Sequence, residues 1–222
     1  MKLQFALRIT PRLHPFTYGA SLGRMFYNRV PSYRHHDDVS QHSIGWIHGP
    51  ADATRHGLVF SEPATWSLGI VEEAPLQEFL QSVEDDPEIL DGVAIDSVTV
   101  VQPPTGTATY FAESPILLRD GSRHVPYTDA GANDLLTRNV RHALGTIGLP
   151  DDITEDVSLR FAPSEGAKTK VVTIGKAKYR ANVCPVEVSA PLPGVHDAIM
   201  SLGVGGLTGM GLGAVIPMAY AR

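Results

Sequence analysis

Hydrophobic positions along the chain change their spacing in an order that predicts alternating strands and helices. In the first half, Leu3, Phe5 and Leu7 alternate with other residues, which is typical of a strand with one buried face. The hydrophobic residues that follow have the spacing of a helix. After them come two short runs typical of strands, a second set of hydrophobic residues at helical spacing, and a run of β-branched residues typical of a strand. The predicted elements are strand 2–9, helix 18–30, strands 57–61 and 66–71, helix 73–85 and strand 93–101.

The second half repeats this order of elements. The predicted elements are strand 107–118, helix 131–147, strand 156–161, a hairpin of 168–175 and 178–189, helix 194–202 and strand 213–218. Pro103, Pro104 and Gly106 interrupt the pattern between the two halves. Two successive β-α-β-β-α-β units predict an α+β protein of two tandem ferredoxin-like (RRM-like) domains, 1–102 and 107–222.

The composition is typical of a folded protein and excludes several classes of protein. With 222 residues, of which 43% are hydrophobic, the chain can bury a sizeable core, which excludes an intrinsically disordered protein. Cys184 is the single cysteine, which excludes an intrachain disulfide framework and a cysteine-based zinc cluster, so a reducing cytoplasm fits best. The net charge of −6 argues against a protein that coats nucleic acid without specificity.

The C-terminal region carries no charged residue from Ala198 to Ala221 and is rich in glycine. Its length suffices to cross a bilayer, so a membrane-anchored module is one alternative, although each glycine weakens a helix by about 1 kcal/mol. A phosphate-binding P-loop is excluded because no lysine follows Lys178. The region therefore predicts either a tight turn or a loop whose backbone N–H groups approach a phosphate backbone. The glycines concerned are Gly203, Gly205, Gly206, Gly209, Gly211 and Gly213.

Residues 201–215 (SLGVGGLTGMGLGAV) resemble the C-terminal glycine-rich loop of the CRISPR-associated endoribonucleases of the RAMP superfamily, which cut repeat RNA into guide RNAs. The resemblance extends over nearly the whole chain and implies two tandem ferredoxin-like domains, in agreement with the element order. Many relatives carry a lysine and a phenylalanine in the loop, where this chain has Leu207 or Thr208 and Leu212. Supporting motifs are MFYN at 25–28, SPILL at 114–118 and KAKYRANVCPVE at 176–187.

The resemblance implies a metal-independent endoribonuclease, without a cofactor, that binds CRISPR repeat RNA as a stem-loop and cleaves pre-crRNA within the repeat. In this chemistry the 2′-hydroxyl of the RNA attacks the adjacent phosphate, which leaves a 2′,3′-cyclic phosphate and a 5′-hydroxyl. The alternative function is a non-catalytic crRNA-binding subunit of a CRISPR effector complex. The expected partners are the repeat RNA and subunits of such a complex, and both a monomer and a homodimer remain open.

The resemblance assigns catalytic roles to Tyr27, in the MFYN motif, and to His48, in SIGWIHG. Histidine suits proton transfer because its ordinary pKa of about 6.5 lies near the working pH. Relatives often carry a lysine after the histidine, and here Arg55 is the nearest cation that can stabilise the developing negative charge. His42 remains the alternative histidine, and His56 remains the alternative to Arg55.

Basic residues that are candidates for RNA binding form two groups. In the second-half hairpin their alternation places charges on one face of a strand. The hairpin group is Lys168, Lys170, Lys176, Lys178 and Arg180, and the group near Tyr27 is Arg24, Arg29 and Arg34.

A histidine-rich stretch leaves a metal site open as a further alternative. Imidazole and carboxylate groups suit zinc or iron, but the spacing lacks HExxH, and a solvated polar loop explains the same residues. The residues are His35, His36, Asp37 and Asp38.

Overall fold

The computed structural model describes residues 1–33 and 39–221. Within these ranges the chain forms sixteen strands and five α-helices. The strands are β1 (Lys2–Ile9), β2 (Leu13–His14), β3 (His42–Ile44), β4 (Ala51–Ala53), β5 (Leu58–Phe60), β6 (Ala64–Ile70), β7 (Glu88–Leu90), β8 (Val93–Val100), β9 (Gly106–Ala112), β10 (Arg119–Asp120), β11 (Arg123–His124), β12 (Ser158–Phe161), β13 (Lys168–Ile174), β14 (Ala177–Val183), β15 (Val186–Ala190) and β16 (Val215–Pro217). The helices are α1 (Tyr18–Arg29), α2 (Glu73–Asp85), α3 (Ala132–Thr146), α4 (Asp151–Glu155) and α5 (Pro193–Leu202), and short 3₁₀ turns cover Thr208–Met210 and Met218–Tyr220.

The first half is built on an antiparallel sheet with the strand order β3-β6-β1-β8-β7. Phe5 of β1 stacks on Trp66 of β6 with 5.2 Å between the ring centroids, and it meets Phe79 of α2 edge-on at 6.1 Å. Phe79 also contacts Phe26 of α1 at 5.9 Å. The two helices therefore cover one face of this sheet, as the alternation of β1 predicts.

The second half is built on an antiparallel sheet with the order β12-β15-β9-β16. Leu136 of α3 and Ile199 of α5 share a buried core with Tyr110 of β9 and Val188 of β15. In both sheets the central strands are the first and third of a β-α-β-β-α-β unit, which is the ferredoxin-like arrangement. The predicted fold class, α+β with two tandem ferredoxin-like units, is confirmed.

Some strands differ from those predicted. The second strand of the first unit is β3, not residues 57–61, and β5 instead pairs with β2 and β4 in a separate small sheet. All three residues of β3 are buried, so the strand is too short to show an alternation. The predicted strand 178–189 is divided before Pro185, so that β14 forms a two-stranded sheet with β13 while β15 joins the main sheet. The predicted strand 107–118 ends at Ala112.

The uncharged C-terminal region does not form one continuous helix. Residues 198–221 form the end of α5, an irregular glycine-rich stretch, the two 3₁₀ turns and β16. Among the described residues, no helix is long and apolar enough to cross a membrane.

A buried ion pair joins the two halves of the chain. The Nζ of Lys2, which is on the face of β1 opposite Phe5, lies 3.0 Å from an Oε of Glu113 in the second half, and neither side chain is more than 4% exposed. The hydroxyl of Ser67 on β6 also donates a hydrogen bond to the Glu113 carboxylate. Nearby, Ser43 of β3 donates to the carbonyl of Met200 at 3.0 Å. These contacts fix the second half of the chain against the first sheet.

Candidate functional site

Residues 203–214, which we call the glycine-rich segment, run from α5 to β16 and lie against the first half of the chain. A Cβ at Gly209 would stand 2.7 Å from the ring of His42 and 2.7 Å from the hydroxyl oxygen of Ser40. A Cβ at Gly23 of α1 would stand 3.4 Å from the carbonyl oxygen of Gly209. Only glycine at position 209 permits this close approach.

Hydrogen bonds give the glycine-rich segment a compact shape. Val204 donates to the carbonyl of Gly213 at 2.7 Å, and Gly206 donates to the carbonyl of Leu117 at 2.9 Å. Positive φ angles, which favour glycine, occur at four of its glycines, and Leu207 also has a φ of +61°. The four glycines are Gly203, Gly205, Gly211 and Gly213. Some backbone N–H groups have no acceptor among the described residues, namely those of Gly205, Leu207, Thr208 and Gly209.

The rings of Tyr27 and His42 contact each other next to Gly209 of the glycine-rich segment. Tyr27 lies in the last turns of α1 and is half-buried, because Phe26 beside it points into the core. His42 opens β3 and is fully buried, with its ring stacked on Phe26 at 4.6 Å and edge-on to Tyr27 at 5.4 Å. The Nδ1 of His42 lies 3.2 Å from the hydroxyl of Tyr33. Burial raises the pKa of Tyr27, so its hydroxyl keeps its proton at neutral pH.

His48 lies in a different place from Tyr27. Its backbone pairs with Thr65, and its Nε2 is 2.7 Å from the carbonyl oxygen of Glu113. Because a carbonyl only accepts, Nε2 carries the proton in this contact. The ring also meets Phe111 of β9 edge-on at 5.2 Å. No contact within the described residues joins His48 to Tyr27, so the structure brings Tyr27 together with the alternative histidine.

Arg55 lies at the tip of the turn between β4 and β5. Its Nε donates to the Nε2 of His56 at 2.7 Å, and both side chains are exposed. In the part of the chain that the structure describes, neither residue contacts Tyr27, His42 or His48. The predicted grouping of Arg55 with Tyr27 and His48 is therefore not observed, because the small sheet holds this turn apart from α1 and β3.

A cleft of about 830 Å³ opens beside Tyr27, between the end of α1, helix α3 and the glycine-rich segment. The third wall of the cleft holds none of the predicted site residues; there Asn139 and His142 lie three positions apart and therefore share a face of α3. That spacing, along the border of the helix face that carries the core residues Leu136 and Val140, is the signal that could have identified the wall. The described residues around the cleft are Tyr27, Pro31, Tyr33, Val39, Ser40, Asn139, His142, Ala143, Gly205, Gly206, Leu207, Thr208 and Met210.

The basic hairpin of β13 and β14 packs against the glycine-rich segment. Val172 and Tyr179, which pair across the hairpin, belong to a cluster with Leu207 and Leu212. Next to this cluster the Nζ of Lys170 lies 4.5 Å from the ring centroid of Trp46, a cation–π contact. Burial, together with the charge of a neighbouring lysine, lowers the pKa of Lys170.

The five basic residues of this hairpin do not share one face, as the alternation suggested. Lys168 and Lys170 are on the face that packs on the segment, whereas the pairing register puts Lys178 and Arg180 on the opposite face. Lys176 is in the turn. None of the five forms an ion pair with a carboxylate within residues 1–33 and 39–221.

The indole of Trp46 connects the hairpin to the glycine-rich segment, because its ring contacts Lys170 and its N–H bonds the segment. Its Nε1 donates to the carbonyl oxygen of Gly211 at 2.8 Å, and a Cβ at Gly19 of α1 would stand 2.7 Å from the same nitrogen. Trp46 therefore holds α1, the glycine-rich segment and Lys170 together at one point.

The arginines near Tyr27 differ in their surroundings. Arg29 donates to the carbonyls of Ser82 and Glu88 and to the carboxylate of Asp86, at 2.7–2.9 Å. These bonds tie α1 to the end of α2 and occupy the guanidinium group of Arg29, whose contact with RNA stays a prediction. Arg24 is exposed, and Arg34 lies outside the described residues.

The predicted metal alternative falls on residues that the structure does not describe, namely His35, His36, Asp37 and Asp38. Elsewhere, residues 1–33 and 39–221 contain no group of three or more His, Cys, Asp or Glu side chains that could hold a metal ion.

Comparisons by sequence return nothing: no protein family matches the chain, and no curated protein matches it. Solved structures do match. The chain is similar to the product of a Cas6-related gene from Pyrococcus furiosus, at 14% identity and a TM-score of 0.79, with 99% of each chain covered. It is also similar to a RAMP protein binding different RNA substrates, at 15% identity and a TM-score of 0.77, over 98% of this chain and 99% of that one.

A third similar structure is the CRISPR RNA processing endoribonuclease Cas6b, at 14% identity and a TM-score of 0.57, over 98% of this chain and 100% of that one. At such identities the likeness shows the arrangement of the elements. The chain therefore has, over almost its whole length, the fold of the Cas6 and RAMP structures.

Proposed function

We propose that the chain is an endoribonuclease that binds CRISPR repeat RNA and cleaves it within the repeat to give guide RNA. The observation that carries the proposal is the meeting of Tyr27, His42 and the glycine-rich segment, next to the basic hairpin of β13 and β14. The names of the similar structures, an RNA-binding RAMP protein and a CRISPR RNA processing endoribonuclease, support the same class of substrate.

Cleavage uses the 2′-hydroxyl of the RNA as the nucleophile. The 2′-oxygen attacks the adjacent phosphorus, the P–O2′ bond forms and the P–O5′ bond breaks. One proton leaves the 2′-hydroxyl and one reaches the 5′-oxygen, so the products carry a 2′,3′-cyclic phosphate and a 5′-hydroxyl. The nucleophile belongs to the substrate, so proton transfer and charge stabilisation by the protein suffice, without a metal or a cofactor.

Tyr27 and His42 have different roles in this reaction. Because burial raises its pKa, Tyr27 stays a hydroxyl and orients the 2′-hydroxyl by hydrogen bonding. His42, whose ring is edge-on to Tyr27, accepts the proton of the 2′-hydroxyl and, as imidazolium, returns a proton to the departing 5′-oxygen, since an imidazole has the right intrinsic pKa for both steps. The role that the sequence assigned to His48 thus passes to His42, because the Nε2 proton of His48 is engaged with the carbonyl of Glu113.

The glycine-rich segment and the hairpin stabilise the negative charge of the RNA phosphates. The N–H groups of Gly205, Leu207, Thr208 and Gly209 have no acceptor among the described residues, and oriented N–H donors stabilise a phosphate as it gains negative charge. Contact with the RNA backbone falls to the lysines of β13, Lys168 and Lys170, which lie on the segment side of the hairpin. Arg55 has no part in this arrangement.

The test is cleavage of the repeat RNA from the host's own CRISPR array, in EDTA, by the wild-type protein. We expect one cut, with a 2′,3′-cyclic phosphate on the upstream product. A repeat with a single 2′-deoxynucleotide before the cut should bind equally well and stay intact, because the nucleophile is missing. Cleavage of that substrate, or strict dependence on added Mg²⁺, would overturn the mechanism.

A second function is a non-catalytic subunit that holds guide RNA in a CRISPR effector complex. The observation that favours it is the complete burial of His42 beneath Gly209. Tight binding of the repeat RNA by the wild-type protein with no cleavage in either EDTA or Mg²⁺ would select this function.

A further inference from the structure

The cleft beside Tyr27 is larger and more apolar than a phosphate requires. Its volume of about 830 Å³ lies in the range of about 300–1,000 Å³ that is typical of sites for whole small molecules. Side chains of Val39, Ala143, Leu207 and Met210 line it. A phosphate would gain nothing from these groups, whereas a flat organic ring would bury its faces against them.

Polar side chains also line this cleft, on α3, on the α1 side and at Ser40 and Thr208. On α3, Asn139 is half-buried and His142 is exposed, and neither makes a hydrogen bond with another described residue. On the α1 side, Tyr27 and Tyr33 add two aromatic rings. The cleft therefore combines aromatic and thioether surfaces with an unpaired amide, which is the combination that recognises a nucleobase by its faces and by one edge.

We propose that this cleft binds one unpaired adenine of the RNA substrate, with its hydrogen-bonding edge at Asn139. The proposal rests on the proposed function and names the specificity of the same site. A carboxamide has one donor and one acceptor side by side, which matches the N6 amino group and N7 of adenine. His142, one helical turn away, contributes a second polar group on the same wall.

The position of the cleft connects it to the RNA surface already described. Leu207 lines the cleft and also belongs to the cluster that holds the hairpin of β13 and β14. An RNA whose backbone follows Lys168 and Lys170 therefore reaches the glycine-rich segment, which forms one wall of the cleft. Unpaired RNA can extrude a base at this point without breaking a helix, and sequence-specific proteins usually target such bases.

The experiment measures coupling between Asn139 and individual bases of the repeat RNA. Each unpaired adenine is replaced in turn by purine, which lacks only the N6 amino group, and dissociation constants are measured for the wild-type protein and for Asn139→Ala. We expect one position at which the purine weakens binding to wild type about tenfold. The same substitution should have no further effect on Asn139→Ala. The control is Asp134→Asn, also on α3 but outside the cleft, which should behave as wild type.

The outcomes separate this inference from the proposed function. If wild type binds and cleaves the repeat but Asn139→Ala keeps the full sensitivity at every position, the adenine site is wrong and the nuclease stands. If wild type neither binds nor cleaves the repeat, both proposals fall. Equal melting temperatures of the two variants and wild type would show that folding does not account for the difference.

Discussion

Replacement of Glu113 by glutamine should destabilise the protein strongly, because it leaves the ammonium group of Lys2 buried without a counter-charge. The two side chains are 4% and 0% exposed, and the atoms of the pair are 3.0 Å apart. Removal of one partner from such a pair costs about 3–5 kcal/mol. Glutamine keeps nearly the same volume and still offers an oxygen to Ser67, so the change isolates the charge.

The control is the solvent-accessible pair of Arg160, which is exposed, and Glu187, which is half-buried; bonds of 2.6 and 3.0 Å join them. Since Arg160 is 66% exposed, Glu187→Gln should cost no more than about 1 kcal/mol. The free energy of unfolding in urea measures both effects. A double variant, Lys2→Met with Glu113→Gln, should recover most of the loss. Equal losses for Glu113→Gln and Glu187→Gln, or no recovery in the double variant, would refute the reasoning.

Three further predictions concern the segment, one buried histidine and the hairpin. Gly209→Ala should reduce RNA cleavage because its Cβ would stand 2.7 Å from the imidazole of His42, whereas Gly206→Ala, whose nearest neighbour would be 3.9 Å away, should have a smaller effect. Burial lowers the pKa of His196 despite a hydrogen bond to a backbone carbonyl. As the pH falls, His196 is therefore protonated in the unfolded chain before it is protonated in the folded protein, so the free energy of unfolding should decrease below about pH 6.5. In urea titrations, His196→Gln should make the free energy of unfolding less dependent on pH in this range. Lys170→Met should weaken repeat binding and lower its salt dependence, as judged from dissociation constants between 50 and 200 mM salt. Lys178→Met should change both less, because its side chain faces away from the segment.

Elements with several repeats of one hydrophobic spacing could be predicted from the sequence, whereas the short buried strand β3 could not. The strand at 2–9 and the helix at 73–85 have the predicted bounds because several repeats of the hydrophobic spacing define each of them. The strand at 42–44 has three buried residues and therefore no alternation to detect. Its absence from the prediction moved the second strand of the first unit to residues 57–61.

The same short strand explains why the sequence did not predict which histidine lies beside Tyr27. Several histidines lie within one stretch of chain, and their order gives no information on which of them folds beside Tyr27. Which histidine lies beside Tyr27 depends on the pairing of His42 with Ile70, which places the ring of His42 among the aromatic residues of α1. The cleft wall at Asn139 depends likewise on how the two halves pack, which the pattern within one helix cannot specify.

Single-turnover cleavage of the repeat RNA by histidine variants tests the central claim most directly. His42→Gln keeps a polar side chain of similar length in the buried position, and His48→Ala removes the other candidate. We expect His42→Gln to cleave at least about 100-fold more slowly than wild type while its RNA affinity and melting temperature stay close to those of wild type. His48→Ala should retain cleavage. Full activity of a folded His42→Gln, or loss of cleavage in His48→Ala alone, would contradict the account.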